Sequence, residues 1–360
     1  MTLYLGIALV LFVLAFLRLI GVIGVRYEQG LALCLTIVAF LAAVLRWETG
    51  TDWDAYILAF RSMTSFEVAH AQSWWGPGYA YTAAVVNSWQ GGYSVFLLCI
   101  GALLFGAKYW FLIRSCAAPL VAIFVLFCVN FYDIFFVRES VAIVFFWGFA
   151  YYYFHDSKWA ALACAVLAVA FHYSALLPLG VAVFLGKFQW KKIAWLIVGL
   201  ALAAYIVYTF VDYDKLWAAK LASTYIGTDY VEEKDSLLST TLRAYLKLSF
   251  LVAVIVGGYI AFAGDKQEEG APWRRFCLTC ASGIVAAAAL LLPLSQIFAR
   301  VPTYTAPLLA VVLSGYRFRF RQISVASTAY LAVLTLLFVQ LGVLFSAYAE
   351  YYYPFHTILY

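Results

Sequence analysis

The chain is poor in charge. Asp, Glu, Lys and Arg make up 11% of its 360 residues, against 66% hydrophobic residues, and mean hydropathy is +0.92. A soluble domain of this length is not built from so few charges. Strand-length alternation of apolar and polar residues is also missing, which excludes a transmembrane β-barrel. No basic leader and no small-residue cleavage site accompany the apolar segment Met1 to Leu17, so it reads as a retained first helix. The seven cysteines (Cys34, Cys99, Cys116, Cys128, Cys164, Cys277, Cys280) lie in or beside apolar runs and make neither a disulfide framework nor a zinc site. Cys277 and Cys280 are spaced CxxC, but at the start of a predicted span, where they read as small core residues. There is no Gly-rich phosphate loop, no HExxH helix, no recognisable Ser-His-Asp spacing and no internal repeat.

What is present is unbroken apolar sequence, so the fold class is an all-α polytopic membrane protein. The runs predict about 12 transmembrane helices, at 3–20, 31–45, 93–107, 117–131, 138–154, 159–171, 173–186, 193–211, 242–263, 275–293, 302–315 and 323–346. Ser73 to Gln90 reads as a helix lying at the interface: Gly76-Pro77-Gly78 opens it, and Asn87, Ser88 and Gln90 make its end polar. The whole chain, 1–360, is expected to form a single integral membrane domain. Net charge is +5, but the basic residues are scattered, which argues against nucleic acid as a partner and for the lipid bilayer. Basic loops at Lys108 to Arg114, Lys187 to Lys192, Lys266 to Arg275 and Arg317 to Arg321 are placed in the cytoplasm by the positive-inside rule. By parity the loop 46–92, with its interfacial helix, and the loop 212–241 face outward, as do both termini. The loop 212–241 mixes Asp, Glu, Lys and Tyr and is a candidate lid or substrate platform.

The densest polar stretch runs from Arg46 through Trp47, Glu48, Gly50, Thr51, Asp52, Trp53 and Asp54 to Tyr56, just after the apolar run Leu31 to Leu45. Arg46 belongs to a set. Arg46, Arg138, Arg243 and Arg300 are all predicted at the outward edge, where positive charge is normally depleted. An anion site explains them together, because Arg offers a planar fork matched to phosphate oxygens. For any one of them, snorkelling or pairing with Glu48 or Glu139 is the alternative. His172, between two spans, reads as a general base or a phosphate donor, or else as a hydrogen-bonded structural histidine. Asp52-Trp53-Asp54 and Asp212-Tyr213-Asp214 are spaced to hold a divalent cation, or are simply loop acids. The rings of Trp47, Trp53, Tyr56, Trp74, Trp75, Tyr79 and Tyr81 suit a carbohydrate or a lipid headgroup, and an interface belt explains most of them equally well.

An Arg, then Gly50-Thr51-Asp52, then Tyr56 and Phe60 after an early span resembles the EpsG-like branch of the Wzy-type polysaccharide (O-antigen and exopolysaccharide) polymerases. So does Arg138 opening a span, followed by Phe171-His172-Tyr173-Ser174-Ala175, by Arg300 with Tyr304, and by Tyr353-Pro354-Phe355 near the end. The chain departs from the family pattern at Glu139, where Gln is usual, and at Gly76, where an acidic residue usually precedes the Pro. The resemblance implies a GT-C-like polymerase architecture and a glycosyltransferase without a cofactor or metal. It implies an enzyme of the bacterial cytoplasmic (inner) membrane with its site facing the periplasm or exterior. Its substrate would be an undecaprenyl-diphosphate-linked oligosaccharide, and its partners a flippase and a chain-length regulator. Under that reading Arg46, Arg138, Arg300, Arg243 and Tyr304 bind the diphosphate, and Asp52, His172 and Glu48 are the catalytic candidates. Two rivals stay open: a metal-dependent glycosyltransferase using a polyprenyl-monophosphate sugar, hooked on Asp52 and Asp54, and a flippase or transporter of lipid-linked glycans.

Overall fold

The computed structural model describes residues 2–46, 48–49, 52–130, 137–185, 234–262, 270–292, 298, 300–316 and 325–352. These residues form α-helices and short 3-10 turns, with no strand among them. In chain order the helices are α1 (Thr2–Leu19), α2 (Val25–Leu45), α3 (Trp53–Ser62), α4 (Phe66–Ala71), α5 (Pro77–Ser88), α6 (Tyr93–Ser115), α7 (Pro119–Val129), α8 (Val137–Phe154), α9 (Lys158–Phe171) and α10 (Leu176–Leu185). Then follow α11 (Lys234–Phe262), α12 (Ala271–Leu291), α13 (Thr305–Ser314) and α14 (Val325–Tyr352). Apolar sequence forces this outcome: in hydrocarbon a backbone must satisfy its own N–H and C=O groups, and a helix does so locally.

Four of the described helices are long and apolar enough to cross a membrane by length and composition: Val25–Leu45, Tyr93–Ser115, Ala271–Leu291 and Val325–Gly342. Others are shorter. The 11 residues of α7 reach only ~17 Å, against a hydrocarbon core of ~30 Å. It is nevertheless the centre of the bundle, packed on α1, α2, α13 and α14. With α8 and α13 it is buried almost throughout. The outer helices show the reverse. Leu33, Ile37 and Val38 on α2 and Leu162 and Val166 on α9 are exposed, a pattern lipid tolerates and water does not.

Side-chain contacts define two ends of the bundle. At one end Trp273, opening α12, donates from Nε1 to the Ser115 carbonyl oxygen that closes α6, at 3.2 Å. Buried Arg274 lies against Gly315 at the end of α13, and His155, after α8, sits over Trp273. These are the element ends that adjoin the basic runs 108–114, 266–275 and 317–321, so three of the four runs attach at one end. Glu28 sits at the same end, buried, ion-paired with Arg18 and accepting the Leu120 N–H at 3.2 Å at the start of α7. A carboxylate there satisfies a helix-terminal N–H and meets the positive end of the helix dipole. Glu28→Ala orphans both partners and is expected to cost about 2 kcal/mol or more, read as a fall in melting temperature of the detergent-purified protein. An unchanged melting temperature would contradict this account of α7.

Several expected boundaries change. The loop 46–92 carries three helices, α3, α4 and α5, where one was expected. The 12 residues of α5 are too few to cross, in keeping with the non-spanning reading, but its Tyr79, Ala80, Ala83, Ala84 and Val86 are buried against neighbours. The helix expected at 242–263 begins at Lys234, which shortens the loop expected at 212–241. The start of the span expected at 302–315 is a 3-10 turn, Val301–Tyr304, leading into α13. The span expected at 193–211 and residues 212–233, with Asp212 and Asp214, lie outside the described residues, as do Trp47 and Tyr353.

Candidate functional site

The site is built at the end opposite the basic runs, and it starts from a glycine. Gly76 closes the 3-10 turn Ser73–Trp75 with φ of +92°, a backbone state that favours glycine. A Cβ on it would stand 2.5 Å from the carbonyl oxygen of Phe171, the last residue of α9. Gly78 lies as close to the Phe171 ring. The loop 46–92 is thereby pressed onto the end of α9, and Tyr173 fastens it by donating to the Ser73 carbonyl oxygen at 3.1 Å.

This docking presents Trp75 to Arg138 in the first turn of α8. Arg138 Nη1 donates to the Trp75 carbonyl oxygen. The guanidinium also lies 4.5 Å from the Trp75 ring centroid, 5.6 Å from that of Tyr56 and 6.0 Å from that of Tyr79. The three rings support one another. Trp75 and Tyr79 stack at 5.9 Å, and Tyr79 donates its hydroxyl proton to the Tyr56 carbonyl oxygen at 2.7 Å. Burial raises the Tyr56 phenol above its ordinary range, opposed by the charge of Arg138, so the phenol keeps its proton. Arg138 is half-buried, and its Nε has no hydrogen-bond partner. A guanidinium held by aromatic faces and one carbonyl is fixed in direction yet keeps its charge for an anion.

Next to it stands His172, the residue between α9 and the turn Tyr173–Ala175. Its Nδ1 lies 2.6 Å from Ser174 Oγ and accepts the Ser174 backbone N–H at 3.2 Å. Ser174 Oγ in turn lies 2.9 Å from the Tyr304 hydroxyl. Burial, then the charges of Arg138 and Arg300, hold His172 well below the usual histidine range, at about 3. Both arginines therefore act on one imidazole. Arg300 is exposed and caps the turn Val301–Tyr304. Behind it, buried Glu139 accepts from Thr303 Oγ1 at 2.8 Å, and half-buried Lys247 on α11 lies within the fields of Glu139 and Arg300.

Three sequence expectations change here. Tyr304, expected at the diphosphate, is fully buried, with its ring edge-on to Phe146 at 5.6 Å and its hydroxyl 2.9 Å from Ser174 Oγ. Arg46 is at the same end but only 2% exposed, 5.7 Å over the Trp53 ring. Trp53, Tyr93, Phe96 and Tyr79 pack in series between it and Arg138, so Arg46 is a sheltered cation behind the aromatic set. Asp52 and Asp54 do not form a pair. Asp52 occupies the position before α3 without a side-chain capping bond and is half-buried, whereas Asp54 is exposed, and positions two apart at the start of a helix point to different sides. Among the described residues no group of three or more His, Cys, Asp or Glu gathers to hold a metal ion. Asp52 does lie close enough for its charge to act on Tyr56, and Glu48 is exposed with φ of +46°. Arg243 is on α11, but its side chain lies outside the described residues.

Sequence reasoning missed Thr303 and Lys247 as parts of this cluster, and met Glu139 only as a pairing partner for an arginine and Ser174 only within the stretch Phe171-His172-Tyr173-Ser174-Ala175. Lys247 carried a usable signal: a lysine well inside the run 242–263 has to find an acid or a cavity. Thr303 carried none, since hydroxyls are common at helix junctions.

Fold and site together define a multi-pass helical membrane protein with a caged arginine, a second arginine and a neutral histidine gathered at one end. The chain belongs to the EpsG family, whose family model matches residues 30–357. That membership is of polysaccharide polymerase type and places the protein in polysaccharide biosynthesis. Searches of curated proteins and of solved structures returned no match.

Proposed function

We propose that the protein is a polysaccharide polymerase that joins undecaprenyl-diphosphate-linked repeat units on the outer face of the bacterial cytoplasmic membrane. The observation that carries this reading is the Arg138 guanidinium, fixed by the Trp75 carbonyl and the aromatic rings, whose charge together with that of Arg300 acts on buried His172 at the end opposite the basic runs. Orientation follows from the positive-inside rule: basic runs inside, arginine cluster outside.

In the reaction the bond between the sugar C1 of the growing chain and the diphosphate oxygen breaks. The diphosphate leaves with the bonding electrons, and an acceptor hydroxyl oxygen on the next lipid-linked unit bonds to C1. Negative charge grows on the leaving phosphates, so preset guanidinium forks stabilise the transition state more than the ground state. Arg138 cannot swing to follow the substrate, which saves reorganisation at the moment of bond breaking. The acceptor proton needs a base, and we assign it to Asp52, whose charge reaches Tyr56, with Glu48 as the second candidate. Arg46 braces the aromatic set behind Arg138. A flippase that delivers the repeat units and a chain-length regulator complete the pathway step.

The test is purified protein in lipid nanodiscs with lipid-linked repeat units, resolved as a product ladder. The ladder is expected with and without a chelator, because arginines do the phosphate work. Loss of product on chelation would favour a metal-dependent transferase. Movement of substrate across vesicles with no new glycosidic bond would favour a transporter.

A further inference from the structure

We propose that His172 serves the reaction as a fixed N–H donor, not as a base, and that Ser174 and Tyr304 are the positioning residues that set its tautomer. The inference rests on the function proposed above and assigns one of its residues a role by proton bookkeeping.

A backbone N–H can only donate. The Ser174 N–H points at His172 Nδ1 at 3.2 Å, so Nδ1 is the bare nitrogen of the ring. Ser174 Oγ, 2.6 Å from the same atom, must then donate its own proton there. With that proton committed, the Oγ lone pairs face the Tyr304 hydroxyl at 2.9 Å and accept its proton. The chain has a single direction, Tyr304 O–H to Ser174 O–H to Nδ1. It ends with the ring's remaining proton on Nε2. The imidazole stays neutral because burial and two cations, Arg138 from α8 and Arg300 from the turn before α13, oppose a further proton. Glu139 is the acid in that quarter, but it acts on Tyr304 and Lys247 and is bonded to Thr303. A bare Nδ1 already filled by two donors cannot take the acceptor's proton. Nε2–H is instead a neutral donor on a ring that feels two guanidinium charges, suited to a phosphate or sugar oxygen that gains charge as the bond breaks.

Two measurements on the full-length protein in nanodiscs test this. The first is the nitrogen spectrum of protein labelled with 15N-histidine, with the His172 signals identified by their loss in His172→Gln. The chain has four histidines, so the assignment is tractable. The expected spectrum shows one bare Nδ1 and one protonated Nε2, unchanged between about pH 5 and pH 9. Ser174→Ala removes one of the two donors to Nδ1 but keeps the backbone N–H, so it should shift the tautomer ratio in part, and Tyr304→Phe less. A proton on Nδ1, or an imidazolium near neutral pH, would overturn the proposal. The second measurement compares variants by polymer yield. His172→Gln, which keeps an N–H near the Nε2 position, should retain activity within about tenfold, whereas His172→Ala and His172→Glu should lose about a hundredfold or more. An active Glu variant with an inactive Gln variant would identify a base and overturn it. If wild-type protein makes no polymer at all, the polymerase reading fails, while the nitrogen spectrum still decides the tautomer.

Discussion

Arg138→Ala is expected to reach the membrane folded and to make no detectable polymer. Removing a single preset donor from an anion-stabilising site costs about 10²–10³ in rate, and Arg138 offers several donors and a full charge. Arg138→Lys should recover little. A lysine ammonium is a point charge that cannot keep the Trp75 carbonyl bond, fill the space between Trp75, Tyr56 and Tyr79, and still present a planar fork. The informative comparison is polymer yield at matched protein level, with melting temperature measured alongside. Emptying the aromatic cage also removes packing, so a modest loss of stability accompanies the loss of activity. Normal polymer from Arg138→Ala at wild-type protein levels would remove the guanidinium from the chemistry.

The second large effect comes from a residue with no side chain. Gly76→Ala sets a Cβ 2.5 Å from the Phe171 carbonyl oxygen, at a φ of +92°. The positive-φ backbone, with ψ of 119°, alone costs ~1–3 kcal/mol for a residue with a side chain, and forcing a methyl against backbone costs ~1–3 kcal/mol more. Part of this cost is escaped by lifting the Trp75–Gly76 turn off α9. Lifting it moves the Trp75 carbonyl away from Arg138 and breaks the Tyr173 bond to Ser73. The variant is therefore expected to lose both thermal stability and polymer yield, though Gly76 touches no substrate. Wild-type melting temperature and yield in Gly76→Ala would show that the loop does not depend on this contact.

Much of this arrangement was legible in the sequence, and the reasons differ by residue. Arg138 and Arg300 stand out because positive charge is depleted at the outward edge of a membrane protein, and His172 because it falls between two spans. The basic runs are legible through the positive-inside rule, and parity carries them to one end. Tyr304 is placed at the diphosphate by the resemblance alone, through its company with Arg300. Only coordinates show the ring turned inward against Phe146. Arg46 was grouped with the other arginines by its depth alone, since depth does not reveal that Trp53 and Tyr93 stand beside it. Helices α3 and α4 were missed because 53–71 mixes polar and apolar residues in pieces of 10 and 6 residues, too short for a clear period. The hydrogen bond from Arg138 to the Trp75 carbonyl has no sequence signature, since every residue has a carbonyl.

The central claim is that Arg138 and Arg300 act as one clamp on a lipid diphosphate. Its most direct test is the affinity of nanodisc-embedded protein for undecaprenyl diphosphate, measured for wild type, Arg138→Ala, Arg300→Ala and the double variant. Each single change should weaken binding by about tenfold or more, and the double change by less than the product of the two, as expected for groups that share a ligand. Wild-type affinity in both single variants would contradict the account.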